Sequence, residues 1–261
     1  MIDPRSAVSP KAQLGDGVIV GPFAVIEDDV VIGDGTTVGA NTVVYSGARI
    51  GKECKIFNGA SIAGSPQDLK FKGETTYLEV GDRTVIREFV TLNRATAESG
   101  VTRIGSDCLF MAYTHVAHDC QLGNHVILAN CVALGGHVSV GDYAIIGGLT
   151  PIHQFVRIGE HAMIGGGFRA TKDVPPFILA GQEPLVFERV NILGLRRRGF
   201  SNKTIDLLDH AFRLLYKSNL NTSQAVERIR SEVDLIPEVQ SLLDFIANSK
   251  RGIIPPPRRP D

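Results

Sequence analysis

Five of the seven histidines in this 261-residue chain fall between residues 115 and 153, four of them, His115, His118, His137 and His153, lying near Gly135 and Gly136. An imidazole of ordinary pKa, about 6.5, takes a proton from a hydroxyl near neutral pH, so the cluster suits general-base chemistry. Asp119 follows His118 directly, and a neighbouring carboxylate fixes an imidazole's tautomer and stabilises the imidazolium. Gly136 offers a bare backbone N–H to a developing oxyanion. No serine or cysteine is placed to form a covalent intermediate, so the parts read as acyl transfer, an activated hydroxyl attacking a thioester directly. Strand neighbours point apart, so contact between His118 and Asp119 depends on local geometry.

A six-residue beat brings these residues together. Apolar residues recur at every sixth position from Val8 to Ile164, and the phase fails only at Asp68, Glu74 and Glu98. That period matches neither a helix face nor an alternating strand. It belongs to a hexapeptide-repeat coil, in which short parallel strands wind around a prism and each apolar slot points inward. Glycine often follows the slot, where a corner needs unusual backbone angles or close approach.

Twenty-four in-phase slots at three per coil predict about eight coils, stacked at about 4.8 Å to reach roughly 40 Å. Residues eighteen apart between 104 and 164 then lie one above the other, which sets His118 under Gly136, Gly136 under Gln154, Asp119 under His137 and Gly135 under His153. The failures of the beat predict extruded loops near 64–79 and 93–103. The first carries Gln67, Asp68, Leu69 and Lys70, and the second Arg94. Charged insertions are commonly plain solvated loops, yet the only two long loops of a solenoid lie where a substrate or neighbouring subunit can use them.

The β-coil is expected to occupy residues 1–184 and a C-terminal helical domain residues 185–261, where Leu207, Leu208, Ala211, Phe212, Leu214 and Leu215 recur at helical spacing. Ser201 precedes that run and Pro237 divides the last segments. The tail with Pro255, Pro256, Pro257, Arg258 and Arg259 is expected to be irregular and mobile. Arg196, Arg197 and Arg198, shortly after Asn191, read either as a solvated helix face or as a phosphate clamp.

With 43% apolar residues the chain can bury a large core without disulfides. Its net charge of −1 argues against nucleic-acid binding. Cys54, Cys108 and Cys120 share the small inward slot and Cys131 stands alone, which suits reduced core thiols. The start lacks a secretory pattern and no run of eighteen apolar residues occurs, so the expectation is a cytoplasmic protein without a membrane span.

The stretches His115-Val116-Ala117-His118-Asp119-Cys120, Leu134-Gly135-Gly136-His137-Val138, His153-Gln154-Phe155 and Arg197-Arg198-Gly199-Phe200 resemble the acyl-ACP:UDP-N-acetylglucosamine O-acyltransferases of lipid A biosynthesis. The Gln67-Asp68-Leu69-Lys70 loop agrees, and the likeness spans essentially the whole chain. It implies a left-handed parallel β-helix, assembled as a homotrimer with active sites between subunits. It also implies transfer of an (R)-3-hydroxyacyl group from acyl carrier protein to the 3-hydroxyl of UDP-N-acetylglucosamine. The donor's phosphopantetheine arm makes a further cofactor unnecessary.

By the same resemblance the catalytic set is His118 as base, Asp119 orienting it and the Gly136 N–H as oxyanion donor. Asp68, Lys70, His115, His137, His153 and Gln154 would contact sugar or acyl chain, and Asn191, Arg197 and Arg198 the nucleotide. The chain departs from the family at Asn93, where histidine is frequent, and at Leu193, where an acidic residue is frequent.

Two other chemistries compete. His115, His118 and His137 supply three nitrogens for a zinc-dependent carbonic anhydrase-like coil, although their spacing differs from that pattern. Acyl transfer to the 3-amino analogue of the sugar nucleotide uses the same parts. An N-acylating relative would need an added N-terminal uridine-binding domain, and an ice-binding coil would need threonine ladders.

Overall fold

In a computed structural model, which describes residues 1–256, twenty-four short strands run from β1 (Ala7–Val8) to β24 (Met163–Ile164). They form three parallel sheets, one per prism face, each taking every third strand, so eight coils stack as a left-handed β-helix. The faces are named here by their first inward residue, Val8, Leu14 and Val20.

The register explains why the beat keeps its phase. His115 pairs with Ala133, eighteen residues on. Across the first loop Ser61 pairs with Thr91, thirty residues on, and across the second Thr91 pairs with His115, twenty-four residues on. The loops therefore insert two hexads and one hexad. Inward slots such as Ile26, Ile62, Leu92 and Leu134 are almost fully buried, and Ala24, Cys54, Cys108, Cys120 and Val126 fill the space between them.

The corners assign their backbone angles differently from the expectation. Glycine after the slot serves close approach: a Cβ on Gly33 would sit 2.7 Å from the Gly51 carbonyl carbon in the next coil. The left-handed angle falls two residues later, on side-chain-bearing residues such as Asp119 (φ 62°), His137 (φ 60°) and Tyr143 (φ 60°). Each corner thereby projects a ladder of side chains. Phe89, Tyr113, Cys131 and Leu149 stand exposed on the corner between the Val20 and Val8 faces.

The corner between the Leu14 and Val20 faces stacks His125 on Tyr143 (4.4 Å between centroids), Tyr143 on His161 (4.9 Å) and His161 on Phe177 (5.7 Å). His161 is buried, and its Nδ1 has no hydrogen-bond partner. Burial, reinforced by the Arg198 charge, lowers its pKa to about 4. The unfolded imidazole binds its proton near pH 6.5, so between there and pH 4 the unfolded state holds more protons. Stability should therefore fall with pH through that window, by about 3 kcal/mol at most. His161→Phe, which keeps the stack, is expected to flatten this acid loss in urea unfolding compared at pH 7 and pH 4.5. An unchanged difference between the two pH values would refute it.

Beyond β24, strand β25 (Ile178–Gly181) pairs parallel with it and β26 (Val186–Val190) returns antiparallel. This corrects the helical reading from residue 185: Val186, Phe187 and Val190 are strand-forming and buried in the sheet's last layer. Helices follow as α1 (Ile192–Arg197), α2 (Asn202–Lys217), α3 (Thr222–Glu232) and α4 (Pro237–Ala247). Ser201 caps α2 by accepting from the Thr204 amide, and Pro237 opens α4. Phe187 packs on Phe212 and Tyr216, joining the hairpin to α2.

The tail is tied down at its start. Pro255 accepts from the Phe187 amide and the Ile254 amide donates to Asp173, while Pro257, Arg258 and Arg259 lie outside the described residues. No helix among the described residues is long and apolar enough to cross a membrane.

Candidate active site

His118 and Asp119 sit on the corner after β16 (His115–Val116), where the chain leaves the Val8 face. The left-handed angle at Asp119 turns its side chain back, and His118 Nδ1 lies 2.7 Å from Asp119 Oδ2. With Nδ1 protonated and donating, Nε2 is left as the basic nitrogen. Asp119 is buried, and its carboxylate accepts from the Thr96 hydroxyl (2.8 Å), the Thr96 amide and the Ser99 hydroxyl. Burial pushes the Asp119 pKa up, but bonds from Ser99, His118 and Thr96 with the nearby His137 outweigh it, leaving the carboxyl below its usual range.

One coil higher, a Cβ on Gly136 would lie 2.6 Å from His118 Cε1 and 2.8 Å from Nε2, so ring and glycine are in contact. At comparable corners the equivalent amide is taken by a side chain from the next coil, as Asn124 N donates to Asp142 Oδ1. Gly136 has Gln154 above it instead, and its amide donates to no group among the described residues. His137 stacks on Phe155 at 4.5 Å, with Nε2 3.7 Å from Asp119 Oδ2 and 3.6 Å from Glu98 Oε2.

Both extruded loops close over this corner. A groove of about 740 Å³ is lined by Asp68 and Lys70 of the first loop, Thr96 and Glu98 of the second, and His118, His137 and Gln154. Asp68 turns its own loop by accepting from the Lys70 amide. Asn93 anchors that loop by donating to the carbonyls of Gly64 and Ser65.

His115 and His153 do not line the groove. His115 Nδ1 lies 2.7 Å from the Thr91 hydroxyl, and burial followed by the charge of His118 lowers its pKa. His153 is exposed and donates to the Gln154 carbonyl. Asn191 and Arg197 line a second groove of about 600 Å³ on the Val20 face with Ile145, Met163 and Leu179. The Asn191 side chain caps α1 and donates to the His161 carbonyl. Arg198 donates to the Tyr143 carbonyl and lies over the Tyr143 ring.

The three histidines of the zinc reading do not converge. Among the described residues the trio whose ligand atoms approach one another is His118, Asp119 and His137, and both Asp119 oxygens are already engaged by Ser99, Thr96 and His118. Cys120 is no nucleophile either. Its thiol donates to the Gly135 carbonyl, and burial with the Asp119 charge pushes its pKa up to about 12. Sequence reasoning overlooked Thr96 and Ser99; their one signal was the break in the beat at Glu98.

Comparison with known proteins places this arrangement in a family. Residues 173–254 match the family model described as domain 2 of UDP-N-acetylglucosamine O-acyltransferase, and residues 29–64 and 102–136 match the bacterial transferase hexapeptide repeat. An acyl-ACP:UDP-N-acetylglucosamine O-acyltransferase of Leptothrix cholodnii is 48% identical over 260 residues, covering 97% of this chain and 98% of the relative. The chain belongs to this acyltransferase family.

Solved members of the family superpose over nearly the whole chain. A UDP-N-acetylglucosamine acyltransferase from Bacteroides fragilis aligns with TM-score 0.96 at 47% identity, covering 97% of this chain and all of that one. The Acinetobacter baumannii structure gives 0.94 at 42% identity, covering 97% and 99%. The hairpin and helices after residue 173 are thus part of the acyltransferase fold.

Proposed function

We propose that the protein transfers an (R)-3-hydroxyacyl group from acyl carrier protein to the 3-hydroxyl of UDP-N-acetylglucosamine, the first step of lipid A biosynthesis, in the cytoplasm. The observation that carries the reading is His118 Nε2, which is backed by Asp119, lies against Gly136 and, like the Gly136 amide, has no hydrogen-bond partner among the described residues. His118 Nε2 takes the hydroxyl proton as the oxygen attacks the thioester carbonyl. The oxyanion accepts from the Gly136 amide, and collapse expels the phosphopantetheine thiolate, which recovers the proton from the imidazolium. Asp119 holds the ring and offsets its transient charge. No metal or further cofactor enters these steps.

The outer surface supports a homotrimer with shared sites. Outward residues of the Val20 face, among them Leu109, Ile127, Ile145 and Met163, are apolar and half-buried. Val43 and Ala133 continue this character on the Val8 face, where Val25 is apolar and exposed, and the joining corner carries Phe89 and Tyr113, stacked at 5.3 Å. The Leu14 face instead presents Arg49, Glu79, Arg103 and Gln121. An apolar corner flanked by two apolar faces fits three copies around an axis, the Val8 face of one against the Val20 face of the next. The His118 groove of one copy then meets the groove of Asn191 and Arg197 in its neighbour.

The test is mass-spectrometric detection of UDP-3-O-acyl product from UDP-N-acetylglucosamine, or its 3-amino analogue, with 3-hydroxyacyl carrier proteins of graded length. Absence of product from every pair would defeat the reading. Co-expressed His118→Ala and Arg197→Ala chains should recover turnover that neither has alone. Failure to complement would defeat the shared site.

A further inference from the structure

We propose that Ser99 is a positioning residue for acyl transfer, the second extruded loop acting as a clamp that fixes the Asp119 carboxylate and, through it, the His118 ring. This rests on the general-base reading above. The Asp119 side chain is fully shielded from solvent. Three of the four groups that donate to it come from the loop, namely the Thr96 amide, the Thr96 hydroxyl and the Ser99 hydroxyl; the fourth is His118 Nδ1. From below, the Thr102 hydroxyl accepts from the Asp119 amide and holds its backbone.

The division of labour between the two oxygens singles out Ser99. Oδ2 takes His118 and the Thr96 hydroxyl, while Oδ1 has Ser99 as its side-chain donor. The Ser99 hydroxyl carries one proton and also lies 3.2 Å from the Val101 carbonyl. The charged acceptor, the closer of the two, takes it. Without that bond Oδ1 keeps only the long contact of 3.2 Å from the Thr96 amide, in a place water does not reach. The carboxylate then turns toward other donors and carries the imidazole with it.

The charged and titratable groups around the carboxylate are His118 on its own corner, His137 from the coil above, Glu98 of the loop beyond His137, and the adjacent buried thiol of Cys120, with His115 on β16 facing His118. None replaces a donor to Oδ1. Ser99 itself does not line the substrate groove, so its effect must pass through Asp119. Thr96 is a poorer probe, because its hydroxyl also accepts from the Glu98 amide and its carbonyl from the Gly100 amide, holding the loop's own turn.

The experiment is steady-state kinetics of Ser99→Ala, Ser99→Thr and Ser99→Cys, with Ser99→Ala repeated in an Asp119→Asn background. Ser99→Ala is expected to lower kcat on the order of 10-fold through misplacement of the base, with KM for both substrates unchanged. Ser99→Thr should recover most of the loss, and Ser99→Cys, a weak donor of similar size, should fall between them even if the alanine variant folds poorly. In the Asp119→Asn background the alanine change should have little further effect, since residues acting through one another are non-additive. Wild-type kcat in Ser99→Ala, or an equal loss in both backgrounds, would overturn the clamp. Wild-type protein that makes no product would overturn the general-base reading, and the clamp with it.

Discussion

His118→Ala is expected to lower kcat by about 10²–10⁴-fold, the range for loss of a positioned general base, with KM for the sugar nucleotide nearly unchanged. The imidazole lines the groove, and the ring fills no part of the prism core, so the variant should keep its oligomeric state and thermal midpoint. Turnover near the wild-type rate, with product confirmed by mass spectrometry, would show that another group takes the proton. Because Nε2 removes a proton made acidic only as the new bond forms, the loss belongs to the transition state.

The prism was legible because one inward side chain per six residues leaves no other way to bury them. Its phase also converted numbers into heights, so Gly136 above His118 and His137 above Asp119 were readable before any coordinates. The contact between His118 and Asp119 was not, because it depends on the left-handed backbone at Asp119, and aspartate carries no unique signal for that angle. Ser99 and Thr96 were hidden for a related reason. An extruded loop has no period, so nothing in its residues says that it folds back 20 or so positions onto a corner of the coil.

The apolar outer surface was legible and went unread. Attention to the inward slot passes over the residue just before it, which in Leu109, Ile127, Ile145 and Met163 is as apolar as the core. One side of the coil is thus apolar on both its inward and its outward surface, the character the proposed trimer needs. The same residue before the slot is arginine, glutamate or glutamine at Arg49, Glu79, Arg103 and Gln121, which sets that face apart as polar. Asn191, Arg197 and Arg198 were not joined to His118 by the stacking arithmetic, because they follow Ile164, where the six-residue beat ends.

Gly136→Ala tests the stacking of base and oxyanion donor most directly, and is expected to reduce kcat on the order of 10²-fold. Gly136 lies outside the left-handed region, so alanine brings no backbone strain, and the atoms its Cβ would meet are those of the His118 ring, at 2.6 to 3.2 Å. The ring cannot retreat easily. Asp119 holds Nδ1 from behind and is itself held by Ser99 and Thr96. The methyl group therefore either tilts the imidazole off its carboxylate or lifts the Gly136 amide away from the oxyanion, and each outcome is a kinetic loss with the fold intact. Gly135→Ala supplies the contrast: its Cβ would meet the backbone nitrogen of Gln154 at 2.8 Å, a coil-to-coil contact, so that change should lower the thermal midpoint. If Gly136→Ala instead loses stability and keeps kcat, His118 and Gly136 do not act on the same reacting atoms.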